Sequence, residues 1–252
     1  MKEANLKKAV KRGFDSSPES YERFELRYGF FRELSGKIVE SITSDPDISM
    51  SRDTSMILDV GCGSGISSIP LESLGTVVGL DLSLNMLKKA ATRLEYVVWG
   101  DAEFLPFQDN AFDLVVFPAS IFLIPRVERA FNEAERVVKH NGVVAGSYFV
   151  GFYSGERPLE DVSGLRHRDV VSSQRIEKLL NEFQAEITEI NFEVSSGFVR
   201  DFYLVPAMSG ALFPKETYSR RMEKVRNIFK RPELSRERFL FRWRVFKVKI
   251  RK

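Results

Sequence analysis

MILDVGCGSGISSIPLESLGTVVGLD, residues 56–81, decides how the rest of the chain is read. Met56–Val60 is a short apolar run of the kind a strand buried on both faces shows. Glycines follow at alternate positions, Gly61, Gly63 and Gly65. Glycine admits positive φ and close backbone approach, and a helix start behind such a turn offers free N–H groups. Ile66–Leu74 is expected as that helix; Pro70 costs little near the first turn, where N–H groups lack intrahelical partners. Thr76–Leu80 reads as a second buried strand, ending on Asp81, 16 residues after Gly65. No Lys-Ser or Lys-Thr pair follows the last glycine, so this is not a Walker loop, and G-x-G-x-G is not the G-x-G-x-x-G of dinucleotide folds. A carboxylate at Asp81 can accept both hydroxyls of a ribose.

The same alternation continues downstream. Ser83 caps a helix from Leu84 to about Arg93. Tyr96–Trp99 is a third strand and Asp113–Phe117 a fourth. Arg126–His140 is a helix stopped by Asn141-Gly142, and Val143–Val150 is a fifth strand. Gln174–Phe183 is a helix and Ala185–Val194 a sixth strand. Phe239–Ile250 is the last. Strands alternating with helices at this spacing predict a doubly wound α/β sheet with parallel strands and right-handed crossovers. In the last strand Phe241, Trp243 and Val245 share one face, then Phe246, Val248 and Ile250 take the other. This one-residue slip predicts a β-bulge near Val245–Phe246.

Upstream, residues 2–13 suit a short basic helix, and a second helical stretch runs from Pro18 to Ile42 with a break near Gly29. Tyr21, Phe24, Tyr28 and Phe31 form one aromatic stripe on it. That stripe either packs on the main domain or closes over the ligand through Tyr21 or Tyr28. The chain therefore divides into an N-terminal helical cap (1–43), a core (44–194 and 237–252), and a helical lid insertion (195–236).

With 252 residues and 43% hydrophobic content, one large α/β domain with additions is affordable in core terms. No apolar run is long enough for a membrane span, and MKEANLKKAVKRGF is too charged for a signal peptide. The single cysteine, Cys62, leaves no intrachain disulfide and no multi-cysteine metal site; a reducing, cytoplasmic setting is expected. Residues 215–252 hold 15 Lys and Arg against four acids, a net of +11, while the chain totals +3, so residues 1–214 carry −8. The basic end is either a solvated face or an anion-binding one.

Trp99-Gly100-Asp101-Ala102-Glu103 follows the third strand. Asp101 can accept a purine amino group and the Ala102 N–H can meet a ring nitrogen. All these segments fall at the carboxyl ends of adjacent strands, where open α/β sheets bind ligands. LDVGCGSG (58–65), VVGLDLSLNML (77–87), GDAEFLPF (100–107), FDLVVFPASIFLI (112–124) and AERVVKHNGVV (134–144) together closely resemble the class I S-adenosylmethionine-dependent methyltransferases. The likeness is to their small-molecule type, which includes the ubiquinone/menaquinone methyltransferases.

The resemblance implies a seven-stranded sheet, six strands parallel and the last antiparallel. It implies S-adenosyl-L-methionine as cofactor, with S-adenosyl-L-homocysteine as product. Asp59, Gly61, Cys62 and Gly63 would lie against the methionine part and ribose, and Asp81 would hold the ribose hydroxyls beside Leu82. Asp101 and Ala102 would read the adenine edge, and Phe117 and Pro118 would sit under the sulfonium. Pro118 stands where the family often carries a polar residue, and Lys139-His140-Asn141-Gly142 replaces its Lys-Pro-Gly-Gly turn. A sulfonium is a strong methyl donor, so alignment and water exclusion are the main tasks. A general base is needed only for a protonated acceptor; Glu103, His167, Tyr21 and Tyr148 are candidates. Tyr21, Tyr28, Tyr148 and Tyr203 are expected around a small organic or lipid-like acceptor. RNA methylation through the basic 215–252 region and non-catalytic adenosyl-ligand binding are the alternatives.

Overall fold

A computed structural model of the chain describes residues 2–165, 171–213, 215–235 and 238–251. The strands are β1 (Met56–Val60), β2 (Thr76–Asp81), β3 (Tyr96–Trp99), β4 (Phe112–Phe117), β5 (Val138–Ser154), β6 (Arg157–Pro158), β7 (Glu186–Ser195) and β8 (Arg238–Lys249). They lie in the order β3-β2-β1-β4-β5-β8-β7, with the two-residue β6 paired to β5 alone. β1 to β5 are parallel to one another. β8 slots between β5 and β7, antiparallel to both. The six parallel strands and antiparallel last strand are therefore as expected, with β6 added. The order reverses between β1 and β4, and the carboxyl ends there form the crevice in which such sheets take ligands.

Burial explains the strand character. Ile57, Leu58, Val60, Leu114, Val115 and Val116 are at most 1% exposed, because helices cover both faces. One face carries α4 (Leu84–Ala90) against β2 and β3, and the other carries α5 (Val127–Val137) and α7 (Ser173–Glu182) against β5. β3 and β7 are the sheet's outer strands and expose many of their side chains.

Three local expectations are corrected. Residues 66–68 are turns and only Ile69–Ser73 winds, as a 3₁₀ helix. Pro70 has no N–H to give an α-helical ladder, and the tighter Ser68→Gly65, Leu71→Ser68 and Leu74→Leu71 bonds carry the segment. The fifth helix ends at Val137, and Val138 already pairs with Phe112, so Lys139 and His140 belong to β5. Asn141, at φ 60°, accommodates the register shift there and does not stop a helix. The bulge expected at Val245–Phe246 is absent: β7 pairs in unbroken register from Lys247 to Arg238. Both residues are buried because β8 is covered on both faces there; the irregularity lies in β5, between Phe149 and Gly151.

The N-terminal segment forms α1 (Lys2–Asp15), α2 (Pro18–Tyr28) and α3 (Phe30–Thr43). Gly29 separates the last two at φ 61°. The buried Glu25 carboxylate accepts the Phe31 and Arg32 N–H groups at 2.8 and 3.3 Å, so it caps α3. Between β7 and β8 stand α8 (Ser196–Leu204), α9 (Pro206–Leu212), α10 (Tyr218–Ile228) and α11 (Pro232–Ser235). α1 packs on α9, where the Ala207 N–H bonds Ser17 Oγ at 3.0 Å.

An aromatic cluster joins these helices to the sheet. Phe24 meets Phe198 and Phe202, Phe30 stacks on Phe241, and Phe152 stacks on Phe241 with centroids 4.0 Å apart. Each such pair adds roughly 0.5–1.5 kcal/mol beyond burial. The basic end of the chain is largely matched along β8. Arg238 faces Glu193, Arg242 faces Glu156 and Glu189, Arg244 faces Glu177 and Glu189, and Lys247 faces Asp45 and Glu186.

Candidate functional site

The cavity opens where β1 runs into the glycine turn. Gly61 takes φ +81°, and a side chain there would put Cβ 2.6 Å from Ser120 Cβ, so only glycine fits. Gly63, at φ +57°, has no atom within 4 Å of where its Cβ would be and faces open space in the cavity. The Gly61 and Cys62 N–H groups are already bonded to Leu80 O, so they brace the turn against β2. Gly63 N–H donates to Asp81 Oδ2 at 2.8 Å, and Ser83 N–H donates to Asp81 Oδ1 at 2.7 Å. Burial lifts Asp81 to about 6 against these stabilising donors.

Asp59 lies beneath this floor, 0% exposed. Its Oδ2 accepts the Ser68 hydroxyl at 2.5 Å, while Oδ1 has no partner among the described residues. Burial, the dominant cause, lifts its carboxyl to about 7, with the nearby Asp81 adding to the shift. At the end of β3, Asp101 Oδ1 accepts the Glu103 N–H at 3.0 Å and Oδ2 the Lys7 ammonium at 2.8 Å. Beyond β4 the Ala119 N–H, at φ 55°, donates to Ser147 Oγ, and Ser120 Oγ donates to Val60 O at 2.5 Å. These bonds hold Pro118–Ser120 as the opposite wall.

Of the expected residues, Gly61, Gly63, Asp81, Leu82, Asp101, Ala102, Pro118 and Tyr21 line one cavity. Asp59 supports its floor. Cys62 is 1% exposed and Phe117 0%, both behind the wall. Tyr21 stacks on Phe31, 5.2 Å between centroids, and burial drives its phenol well above its ordinary value, so it is a hydrogen-bond donor at neutral pH.

Other expectations are not met in space. Tyr148 is fully buried near Phe246, Arg244 and Glu177, away from the cavity wall, because alternate β5 side chains point to opposite faces. Tyr203 packs into Phe152 and Phe202 and does not line the cavity. Tyr28 donates to Asp201 Oδ2 at 2.9 Å and is likewise outside the wall. Glu103, completely buried, is ion-paired with Arg126 at 2.6 Å and with Lys7, so its oxygens are occupied structurally. His167 lies outside the described residues.

The missing wall comes from α1. Lys7, Val10, Lys11 and Phe14, at spacings of three and four, put one helical face over the cavity. Their spacing was visible, but nothing local said what the face covers. Ile124, Pro125 and Trp243 complete the enclosure.

A cationic ligand bearing a ribose suits this construction. The orphan Oδ1 of Asp59 and the raised carboxyls leave uncompensated acidity beneath the floor, Gly63 leaves room, and Asp81 presents two acceptor oxygens.

Residues 58–146 match the family described as "Methyltransferase domain". Mouse mitochondrial "Arginine-hydroxylase NDUFAF5" is 32% identical over 130 residues, 50% of this chain and 37% of that protein. The demethylmenaquinone methyltransferase of Staphylococcus aureus is 42% identical over 96 residues, 34% of this chain and 40% of that one. The match thus spans less than half the length of either relative. A crystal structure of a SAM-dependent methyltransferase from Thermotoga maritima superposes with TM-score 0.59 at 18% identity, covering 95% of this chain and 99% of that one.

Proposed function

We propose that this chain, whose residues 58–146 form a methyltransferase domain, binds S-adenosylmethionine and transfers its methyl group to a small organic or lipid-like acceptor. One observation carries this reading: Asp81 and Asp101, from the ends of β2 and β3, meet the glycine turn of β1 in a single cavity. When bound, the cofactor supplies a methyl group on a sulfonium, an electrophile that needs no further activation. Asp81 would hold the ribose diol, already aimed by the Gly63 and Ser83 N–H groups. Ala102 and Asp101 would read the adenine edge, with the Lys7 ammonium giving way at Asp101. Asp59 and Asp81 supply the negative field that favours a cation. Phe14, Tyr21, Phe31, Phe202 and Trp243 exclude water from the cavity. Of the base candidates expected from the sequence, Tyr21 alone among the described residues lines the cavity, and it would orient the acceptor oxygen or nitrogen by a hydrogen bond.

The RNA reading draws no support from β8, whose arginines and Lys247 face acids of this chain. No described helix is long and apolar enough to cross a membrane.

Calorimetry with S-adenosylmethionine and S-adenosylhomocysteine tests the proposal. Both are expected to bind at one site per chain, and Asp81→Ala to weaken them at least about tenfold, as lost hydrogen bonds to a charged group do. Unchanged affinity in a folded Asp81→Ala chain would remove the ribose assignment.

A further inference from the structure

A second cavity lies behind the first and shares Val10, Phe14, Phe122, Leu123, Phe202 and Met208 with it. Its remaining wall mixes apolar Ala9, Phe149, Ala207 and Ala211 with polar Ser16 and the charged Arg12, Glu216 and Arg221. Nothing in the site described above uses it. The Glu216 carboxylate is already taken by Lys224 and Arg220, at 2.5 and 3.5 Å.

Arg221, on α10, is different. Its Nε is buried and has no hydrogen-bond partner among the described residues. Its one hydrogen bond among them is a long Nη1 contact to Pro206 O at 3.4 Å, and its guanidinium lies 5.8 Å from the Tyr218 ring. Burial pushes its pKa below the ordinary guanidinium value, opposed only weakly by the Tyr218 phenol among the described residues. The place is also shaped for it: a Cβ on Gly210 would stand 2.8 Å from Nη1, so α9 admits the guanidinium because residue 210 has no side chain. A partly buried cation without a counter-charge is unfavourable, and an anion beside it offsets that cost.

We infer that the second cavity is the acceptor site and takes an apolar ring or chain bearing one anionic group, a carboxylate, phosphate or sulfate, seated on Arg221 with Arg12 beside it. The word acceptor rests on the methyl-transfer reading above. The anion site rests on Arg221 and Gly210. One guanidinium fork matches a planar or tetrahedral oxyanion with two N–H groups. The shared wall would set the apolar body of such a molecule against the first cavity.

Two fluorescent probes test this, 8-anilinonaphthalene-1-sulfonate and N-phenyl-1-naphthylamine, which share a ring system and differ in the anionic group. Each is titrated into the full chain, with near-ultraviolet circular dichroism confirming that each variant is folded. The sulfonate is expected to bind at one site per chain. Arg221→Met should weaken it about tenfold and leave the neutral probe within about twofold, while Arg221→Lys, which keeps the charge and loses the fork, retains only part of the affinity. Equal loss of both probes, loss of neither, or no binding of the sulfonate to the wild-type chain would overturn the inference. Should Arg221→Met not fold, Arg221→Gln removes the charge with less loss of polarity and reads the same difference. S-adenosylhomocysteine titrated separately into the wild-type chain separates the two ideas. Its failure with anion discrimination intact removes methyl transfer and leaves the anion site; its success without discrimination removes only the anion site.

Discussion

Lys7 Nζ lies 2.8 Å from Asp101 Oδ2, joining the first helix to the end of the third strand across 94 residues of chain. The same ammonium is ion-paired with the buried Glu103, which Arg126 also holds. α1 is thereby latched over the cavity at the carboxylate expected to read adenine.

Lys7→Met should loosen that latch. Partly exposed ion pairs contribute about 0.2–1 kcal/mol, so the melting temperature should change little. Because the ammonium would stay on Glu103 when it leaves Asp101 to adenine, S-adenosylhomocysteine dissociation, followed by stopped-flow fluorescence, should become several-fold faster. An unchanged rate would mean that α1 does not gate the cavity.

Gly61 and Gly63 should separate stability from binding. Gly61→Ala combines φ +81° with a Cβ 2.6 Å from Ser120 Cβ, and should cost about 2–4 kcal/mol in urea unfolding. Gly63→Ala meets no neighbour and should cost only about 1–2 kcal/mol of left-handed strain. Its methyl group enters the cavity, so cofactor affinity should fall more than about tenfold. Equal stability losses would contradict the turn geometry.

The buried carboxyls predict a pH dependence. Asp59 titrates near about 7 and Asp81 near about 6 in the ligand-free chain. A bound cation favours their ionised forms, so binding releases protons and weakens as pH falls through 7 and then 6. Calorimetry of S-adenosylmethionine in two buffers of different ionisation enthalpy reads that release; a pH-independent affinity between about 5.5 and 8 would count against it.

Folding has the opposite sign for the same groups. Their folded pKa values lie above the ordinary 3.8, so the native chain binds more protons than the unfolded one between about 4 and 7. Stability contributed by these groups is present at the acid end and declines as pH rises through that window. Asp59→Asn should therefore raise stability near pH 8 by about 1 kcal/mol or more, measured by urea titration, while weakening S-adenosylmethionine binding.

Tyr148 and Tyr21 should behave differently. Tyr148 sits away from the cavity wall and Tyr21 within it. Tyr148→Phe should leave cofactor affinity within about twofold, whereas Tyr21→Phe should lower methyl transfer with little change in melting temperature, because its Phe31 stack survives. A large effect of Tyr148→Phe on transfer would relocate the acceptor.

The sheet and the glycine turn were legible because their signals are local. A five-residue strand with four apolar residues, a turn of alternating glycines and a carboxylate closing the next strand are enough to place Asp81 and Gly63 at one crevice. Consecutive strands of such a sheet are usually neighbours, and so Asp101 could be set beside them. Where a local pattern has two causes, it misled. The phase slip at Val245–Phe246 reads as a bulge, yet β8 is simply covered on both faces. Pro70 was compatible with a helix start, yet the segment winds as 3₁₀.

By itself, then, the chain's sequence determined which backbone forms the floor of the site, since strand ends and turns are decided by neighbours a few residues away. Only the tertiary structure decided which side chains face that floor. Lys7 reaching Asp101, Trp243 entering the wall, Tyr148 packing away from it and Arg221 left beside Gly210 with no counter-charge among the described residues all depend on contacts between distant segments. Side-chain direction there is set by packing of whole helices and by the alternation of a strand whose register is fixed by its partners.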